Sequence, residues 1–503
     1  MCFSFITKSQ VPPSYVNITH GISGMQDYTP KIIKFKSNYY GVSTAAWPGI
    51  EFTITLTKYD TLLNVISQKT LGFPNKALLS TIGNNIEVNN IDSSIYVSGL
   101  INQDYFGVKK LNGILCKFDK NLDTLWHKSY KNTNDSAIIF NGMVMISDGI
   151  LLYGQSAEFD LYGDCFVMKV DFNGQELWRK TFQIPGQIGY FFKLIKTKDK
   201  CFIAVENLLD YPIWGYSDIK VTKYDSLFNV KWQRILYSPF LDELGDVIIL
   251  SDSNLVITQG YCVSQNSPPW GTNQNRQCIN KLNINTGATI WQKKYGKISP
   301  YIQLYSIIET KSKKLLATGN MGTAYASKPS GTYIGTALLV NQNGDSLNYQ
   351  ETFSDSISQR NYLYDIVSSN NGYYCAGSTQ VAIYSGTVVS RYEQENWFVK
   401  ADSNGFFNSN YVLNVSSNNN SDQKIYFFPN PAQSILNLNV PSNLLENSLS
   451  FVIYDSMGKI ILKQSINYSK TIVDVSSLSK GFYISSIVTQ EKVIFTSKLI
   501  IQN

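Results

Sequence analysis

The sequence predicts an all-β protein: a seven-bladed β-propeller followed by a small immunoglobulin-like β-sandwich. Two observations carry this prediction. One motif recurs seven times between residues 30 and 415, and residues 424–503 alternate apolar and polar positions as half-buried strands do. The composition agrees, because only 16% of the residues are charged whereas 13% are aromatic, with 33 Tyr among them, and aromatic residues favour sheets.

The repeated motif is a strand ending in Lys-x-Asp, followed by a turn and a strand that bears a Trp. The Asp or Asn of each copy lies 52 to 61 residues from that of the next copy. Four copies are complete and three are weaker; they occupy residues 117–126, 169–178, 223–232 and 281–291, and residues 58–60, 340–349 and 400–402. A fixed period of this length predicts a propeller or a solenoid.

A second pattern gives the same count. Seven short hairpins end in a small residue, near residues 39–44, 95–99, 151–154, 202–206, 256–260, 316–319 and 373–377. An apolar strand precedes each hairpin, so each repeat has four strands. Hairpin turns favour a propeller over a solenoid, whose coils are usually shorter and carry parallel strands. The ring needs one closing strand, and the candidates are residues 15–18, within an N-terminal segment of residues 1–29, and residues 411–413.

Residues 283–291 resemble the tryptophan-docking repeat of quinoprotein-like propellers, and the other copies resemble the looser repeats of secreted bacterial propellers. The resemblance implies that Trp126, Trp178, Trp232 and Trp291 pack on neighbouring blades and have a structural role. A quinone-dependent dehydrogenase is not expected, since such enzymes are larger and carry a vicinal disulfide that this sequence lacks.

Five blocks mark the C-terminal segment, residues 424–503. They are Pro429-Asn430-Pro431-Ala432, the turn that holds Asp455, Gly458 and Lys459, the run 473–478, the pair Gly481 and Tyr483, and Lys498 before an apolar tail. Their order resembles the type A C-terminal sorting domain of the bacterial type IX secretion system. An unrelated immunoglobulin-like sandwich is the alternative, but it has no reason to repeat these blocks.

This resemblance implies one partner and one destination. The partner is the outer-membrane translocon of the type IX system, and the chain is delivered through the periplasm to the cell surface or the medium. Residues 416–423 are then a polar linker. Such a protein is expected to begin with a signal peptide, whereas Met1 to Lys8 has no basic start and too short an apolar stretch. We therefore expect a truncated or misassigned start.

Charge and cysteine patterns exclude several classes of function. The net charge is +6 and no block of five like charges occurs, so neither nucleic acid nor a membrane surface is an expected partner. No apolar run is long enough to cross a bilayer. The seven Cys and two His have no ligand-like spacing, and no metal or other cofactor is predicted. Calcium is the alternative, with Asp104, Asp160, Asp164 and Asp218 as oxygen donors.

Cys262 and Cys278 flank a long Pro/Asn-rich insertion. Since they stand near the end of one strand and the start of its hairpin partner, we expect the fold to bring them together. The sequence therefore predicts a disulfide between them.

No hydrolase, kinase or dinucleotide-binding motif occurs, so no catalytic residue is predicted. Aromatic residues beside Gly or Pro stand out in the loops between the second and third strands of successive blades: Trp47, Tyr105, Tyr162, Trp214 and Trp270. They form either a binding surface or caps over the blade cores. We predict a non-catalytic module for binding or adhesion to a glycan or protein. The alternatives are a carbohydrate-active enzyme with carboxylates in the channel and a structural surface protein.

Overall fold

The computed structural model describes most of the chain. The described residues are 17–20, 26–46, 52–73, 76–80, 83–102, 111–132, 137–159, 162–182, 187–210, 217–238, 242–265, 273–299, 302–322, 333–352, 360–385, 388–405, 407, 426–428, 432–440, 444–445, 448–455, 459–489 and 493–502. They contain 36 strands and no α-helix, so none of them lies in a helix that could span a membrane. The chain divides into two compact units, residues 1–383 with 391–413, and residues 384–390 with 414–503.

The first unit consists of seven antiparallel blades of four strand positions each. Blade 1 contains β2(Gln26–Phe35), β3(Asn38–Ala46), β4(Phe52–Tyr59) and β5(Val65–Leu71). Blade 2 contains β6(Ala77–Ser80), β7(Ile86–Val88), β8(Ile95–Asn102), β9(Leu111–Phe118) and β10(Thr124–Tyr130). Blade 3 contains β11(Ala137–Ile146), β12(Gly149–Phe159), β13(Tyr162–Val170) and β14(Glu176–Phe182). In blade 2 the innermost position is shared by β6 and β7, which both pair with β8.

Blades 4 to 7 follow the same order. Blade 4 contains β15(Gln187–Lys196), β16(Phe202–Asp210), β17(Ser217–Tyr224) and β18(Val230–Leu236). Blade 5 contains β19(Glu243–Ile249), β20(Asn254–Gln265), β21(Asn273–Asn283) and β22(Thr289–Ser299). Blade 6 contains β23(Gln303–Glu309), β24(Leu315–Gly322), β25(Tyr333–Val340) and β26(Ser346–Thr352). Blade 7 contains β27(Asn361–Ser369), β28(Gly372–Ser385) and β29(Val388–Asp402).

The ring is closed by contacts between the innermost strands and by the strand that completes blade 7. The innermost strands contact one another in the cyclic order β2, β7, β11, β15, β19, β23, β27 and back to β2. The fourth strand of blade 7 comes from the other end of the chain, because β1(Asn17–His20) pairs antiparallel with β29. The N-terminal candidate is therefore the closing strand, and the predicted seven-bladed propeller is confirmed.

The pairing of the first two strands recurs from blade to blade, and its cause lies in the backbone. Six innermost strands carry a β-bulge midway along their pairing with the second strand. The residue opposite the bulge is glycine in blades 3, 6 and 7, since a Cβ at Gly154, Gly319 or Gly377 would clash with a carbonyl oxygen of the bulged strand. Blade 4 has Glu206 there, and its buried carboxylate pairs with Lys220 at 2.5 Å.

The Lys-x-Asp motif has two structural roles. Its Asp or Asn accepts backbone N–H bonds from residues two or more positions ahead, which closes the turn after the third strand in all seven blades: Asp60, Asp119, Asp171, Asp225, Asn283, Asn341 and Asp402. In blades 2 to 5 its Lys pairs with an Asp in the first hairpin turn of the same blade. These pairs are Lys117–Asp92, Lys169–Asp148, Lys223–Asp199 and Lys281–Asp252, at 2.6 to 3.2 Å.

Three of the four tryptophans dock on the next blade as the resemblance implies. Trp232 lies over Gly287, where a Cβ would come within 2.6 Å of the indole, and donates its Nε1–H to the carbonyl of Ile284 at 3.1 Å. Trp291 lies over Gly344 and donates to Gln342, and Trp126 lies over Gly174. Trp178 differs, because Phe228 takes the place of the glycine.

The predicted disulfide between Cys262 and Cys278 is wrong. In the ladder between β20 and β21, Cys262 pairs with Asn275 and Cys278 pairs with Gln259. The two cysteines are thus three positions apart along the ladder, and an odd separation directs side chains to opposite faces of a sheet. Both thiols are buried, and no disulfide joins them.

The second unit is a β-sandwich. One sheet has the order β30(Tyr426–Phe428), β31(Ile435–Asn439), β34(Lys470–Asp474), and the other has the order β33(Ile460–Ile466), β32(Leu449–Tyr454), β35(Gly481–Val488), β36(Val493–Ile501). Both sheets contribute to one apolar core, with Leu436, Leu438 and Val473 from the first and Phe451 and Leu499 from the second. This matches the predicted immunoglobulin-like sandwich.

Candidate functional site

The innermost strands bring five charged side chains together at the axis of the ring. They are Lys31, Glu87, Lys193, Asp246 and Asp365, which lie on five different blades, and all but Glu87 lie at or beside a bulge. They interact electrostatically across the ring. Lys31 Nζ lies 2.8 Å from Asp365 Oδ1, and Lys193 pairs with Asp246. Because the partners come from around the whole ring, they must meet in the central channel.

The two channel aspartates also join neighbouring blades. Asp365 in blade 7 accepts the backbone N–H of Ile32 in blade 1 at 2.9 Å, and Asp246 in blade 5 accepts that of Ile307 in blade 6 at 3.1 Å. The hydroxyl of Ser306 lies 3.2 Å from Asp365 and 3.4 Å from Asp246. Both carboxylate oxygens of Asp246 and both of Asp365 therefore have a protein partner.

Burial and charge set the protonation of this cluster. Burial alone would raise the pKa of Asp246, but Lys193 and Lys31 outweigh it and lower the pKa. Burial would lower the pKa of Lys31, but Asp365, Asp246 and Glu87 raise it. Glu87 has a pKa raised by burial, although Asn84 donates a hydrogen bond of 2.6 Å to its carboxyl group. The surrounding charges therefore favour the carboxylate of Asp246 and the ammonium of Lys31.

A different surface lies at one end of the blades. We call the end where the second strand of a blade leads to the third the loop end, and the opposite end, where first and second strands are joined, the turn end. Four half-buried tyrosine rings form a continuous chain at the loop end of blades 6 and 7: Tyr305, Tyr364, Tyr362 and Tyr333, which we call the tyrosine patch.

The rings of the patch are closely packed. The centroids of Tyr305 and Tyr364 are 5.0 Å apart in an edge-to-face contact, and Tyr362 stacks on Tyr364 at 5.5 Å with the planes 6° apart. Tyr333 lies 5.1 Å from Tyr362. Tyr362 and Tyr364 flank Leu363 on β27, where the bulge begins, and the stacking places their two rings side by side. The pKa of Tyr362 and of Tyr305 is raised by burial, which keeps both phenols neutral at physiological pH.

Two acids with raised pKa values, Asp242 and Glu243, lie at the start of the first strand of blade 5, and Glu243 interacts with the patch. Glu243 has a pKa raised by burial and interacts electrostatically with Tyr305. Burial also raises the pKa of Asp242, to about 7, and Asp218 adds to the shift. Asp242 accepts hydrogen bonds from the backbone N–H of Cys262 at 3.2 Å and from Gln259 Nε2 at 3.1 Å. Asp242 is therefore engaged within blade 5.

The predicted aromatic loop residues occupy connections that adjoin this same end. Trp47, Tyr105, Trp214 and Trp270 lie outside the described residues, and Tyr162 begins β13 with its side chain outside the description. The strand ends that flank these loops are at the loop end. Because the aromatic side chains themselves lie outside the described residues, the binding rim remains a prediction. Among the described residues, no group of three or more His, Cys, Asp or Glu could hold a metal ion.

Sequence reasoning missed both the channel cluster and the tyrosine patch. The two ion pairs of the channel join residues that are 53 and 334 positions apart in the sequence, and no motif surrounds them. The patch had a weak signal: Tyr305, Tyr362 and Tyr364 begin the innermost strands of two successive repeats, each in an aromatic-apolar alternation.

The sorting-domain blocks form turns and strand ends in the sandwich. The Asp455 carboxylate accepts the backbone N–H of Lys459 at 2.9 Å, which closes the turn between β32 and β33. Tyr483 donates its hydroxyl to the carbonyl of Ser479 at 2.8 Å, and Gly481 begins β35. Ala432 bridges to Ile501. Pro429, Asn430, Pro431 and Gly458 lie outside the described residues, as does the side chain of Lys498.

Comparisons with solved structures show low similarity throughout. A surface component of the type IX secretion system of Porphyromonas gingivalis, PorZ, is 9% identical, with 94% of this chain and 75% of that chain covered and a TM-score of 0.25. An ulvan lyase is 8% identical, with 76% and 96% covered and a TM-score of 0.43. The propeller domain of the trilobed protease of Pyrococcus furiosus is 9% identical, with 76% and 99% covered and a TM-score of 0.35.

A search of curated proteins finds no match to this chain. A family model does match: residues 426–502 fit the family described as the secretion system C-terminal sorting domain. That range coincides with the seven-stranded sandwich. The chain is thus a β-propeller whose residues 426–502 are a C-terminal sorting domain of the type IX secretion system, which delivers proteins to the cell surface or the medium.

Proposed function

We propose that the propeller is a non-catalytic binding module displayed at the cell surface, and that the tyrosine patch is part of its binding surface. The observation that carries the proposal is the chain of four half-buried rings at the loop end of blades 6 and 7. Tyrosine offers a flat apolar face for a sugar ring or a protein side chain and a hydroxyl for hydrogen bonds. The ligand class is therefore a glycan or a protein.

The channel carboxylates support binding over catalysis. A glycosidase needs two carboxyl groups that reach the scissile bond, one of them free to donate a proton. Asp246 and Asp365 are ion-paired with Lys193 and Lys31 and accept backbone N–H bonds from adjacent blades. Both side chains are buried, with relative exposures of 8% and 3%. The contacts of Asp246 and Asp365 join neighbouring blades.

A carbohydrate-active enzyme is the second candidate, and one observation favours it. Glu243 has a raised pKa and lies beside Tyr305, and acids with raised pKa values concentrate at catalytic sites. A glutamic acid whose pKa is raised, beside aromatic rings, has the chemistry of a general acid. In this alternative Glu243, and neither channel aspartate, is the proton donor.

A glycan array probed with the full chain tests the proposal. We expect saturable binding to a defined glycan class, and we expect the double variant Tyr362→Ala, Tyr364→Ala to bind about thirtyfold or more weakly, which corresponds to about 2 kcal/mol for a lost anchor. Tyr237 is an exposed tyrosine that ends blade 4, so Tyr237→Ala is the matched control and should bind as the wild type does.

Two further outcomes separate the candidates. Cleavage of the bound glycan that disappears in Glu243→Gln would favour the enzyme. Absence of binding to glycans and to surface proteins of the producing cell, with the variants melting at the wild-type temperature, would leave the third possibility, a structural surface protein, and would contradict the proposal.

A further inference from the structure

At the turn end of the propeller, a groove of about 580 Å³ opens between blades 3 and 4. Its floor is aromatic and its rim carries lysines, and we call it the lysine groove, defined by Trp178, Phe202, Phe228, Lys196 and Lys200. It lies at the opposite end of the blades from the tyrosine patch. The groove is therefore independent of the binding surface proposed above.

The floor exists because blade 4 breaks the tryptophan-docking pattern. In blades 3, 5 and 6 the docking position holds Gly174, Gly287 and Gly344, and a tryptophan of the preceding blade packs so closely on each that a Cβ would meet the indole at 3.0 Å or less. Blade 4 has Phe228 at this position, with a φ of 60°, and its ring stacks on Phe202 at 4.8 Å. Trp178 can only meet Phe228 edge-on, at 5.8 Å.

The displaced indole stays accessible. Trp178 keeps a relative exposure of 38%, and its Nε1–H has no acceptor within the described part of the chain, whereas Trp232 and Trp291 each donate to a carbonyl. Leu227, beside it in the turn of blade 4, is 74% exposed. An exposed indole face with a spare N–H donor suits a ring that is apolar on one face and carries hydrogen-bond acceptors at its edge.

The rim supplies positive charge. Lys169 is neutralised by Asp148 at 2.6 Å, and Lys180 Nζ is held by the carbonyl of Phe228 at 2.8 Å. Lys196 and Lys200 are exposed, and neither forms an ion pair with any described residue. With four lysines and one aspartate along its lining, the groove has a net charge of +3.

We propose that the lysine groove binds an acidic glycan, a saccharide bearing carboxylate or sulfate groups. A pyranose ring would stack on Trp178 while its anionic group pairs with Lys196 and Lys200. Single-stranded nucleic acid fits less well, because it needs several stacking rings along a basic track, and the groove exposes one indole. A groove of this volume is of small-ligand size, which suits a short stretch of saccharide.

Titration of the full chain with defined probes tests this site. Decagalacturonate carries carboxylates, a chondroitin sulfate decasaccharide adds sulfates, and cellohexaose is the neutral counterpart. We expect both acidic probes to bind and cellohexaose to fail. We expect Lys196→Gln, Lys200→Gln to weaken binding at least about tenfold, with a smaller dependence on salt. Trp178→Leu should weaken binding without loss of that salt dependence. The two acidic probes decide whether carboxylate or sulfate is preferred.

Lys198→Gln is the matched control, because Lys198 is an exposed lysine of the same hairpin that does not line the groove. It should bind as the wild type does. Equal losses for Lys198→Gln and the double variant would show non-specific attraction and overturn the proposal. Preferential binding to phosphatidylglycerol vesicles or to a single-stranded oligonucleotide would also overturn it. Thermal melts of the lysine variants should match the wild type, since these side chains are exposed. Retained tyrosine-patch binding in these variants keeps the two sites distinguishable.

Discussion

The contribution of each tryptophan to the stability of this propeller depends on the residue beneath its ring. Trp232 covers a glycine and makes a hydrogen bond, whereas Trp178 meets the edge of a phenylalanine and remains partly exposed. A side chain that closes a gap loses more on truncation than one that leaves a groove open.

Trp232→Ala should therefore destabilise the propeller by about 3 kcal/mol, and Trp178→Ala by about 1 kcal/mol. Thermal melts of the two variants measure the difference. Equal loss of melting temperature would mean that the docking geometry does not determine the stability of these blades.

The raised pKa of Asp242 leads us to expect that its contribution to the stability of the protein decreases as the pH rises. Its pKa is raised from 3.8 to about 7 in the folded protein, chiefly by burial, with Asp218 opposing ionisation and Lys294 favouring it. The folded state therefore binds a proton more tightly than the unfolded state, so this group's contribution to stability is largest below pH 4 and is lost as the pH rises to about 7.

Asp242→Asn mimics the neutral form. The melting temperature of the variant minus that of the wild type should be larger at pH 8 than at pH 5, because at pH 5 the wild-type carboxyl is already largely protonated. Melts across this pH range give the comparison. A difference between variant and wild type that is constant with pH would contradict the raised pKa.

At the scale of elements, the register of the strands explains both a success and a failure of sequence reasoning. The hairpins that end in glycine were predictable, because the bulge opposite each one leaves no room for a Cβ. The Cys262–Cys278 disulfide was predicted wrongly, since positions near the end of one strand and the start of its hairpin partner suggested proximity, and only the register shows that the two side chains lie on opposite faces.

The closing strand gives a prediction at this scale. β1 supplies the fourth strand of blade 7, with Ile18 opposite Phe398 and Thr19 opposite Trp397. Removing residues 1–20 should expose the edge of β29, lower the melting temperature and promote association through that edge. Size-exclusion chromatography and melts of this deletion, compared with deletion of residues 1–10 alone, measure the effect. Identical behaviour of the two deletions would mean that β1 does not hold the ring.

Across the whole molecule, the seven blades and the sorting domain followed from patterns that recur or keep a fixed order. The channel cluster could not be predicted, because Lys31 and Asp365 meet only after the first and seventh blades close the ring. The tyrosine patch likewise forms only when blades 6 and 7 pack against each other. Contacts between distant repeats depend on the ring geometry, which a local motif does not encode.

Residues 424–503 carry the prediction about delivery. Deleting them in a host that possesses the type IX system should leave a folded propeller retained in the periplasm, because the sorting domain is absent. Fractionation with immunodetection measures this, and the intact chain should reach the surface or the medium. Export of the truncated chain at the normal level would contradict the role of this domain.

The central claim, a propeller that binds without catalysis, is tested most directly by calorimetric titration of the full chain with the glycan selected on the array. We predict a saturable isotherm with no heat flow after each injection has equilibrated, and an affinity about thirtyfold lower for Tyr364→Ala. Continuing heat flow from turnover, abolished in Glu243→Gln, would contradict the claim and identify an enzyme.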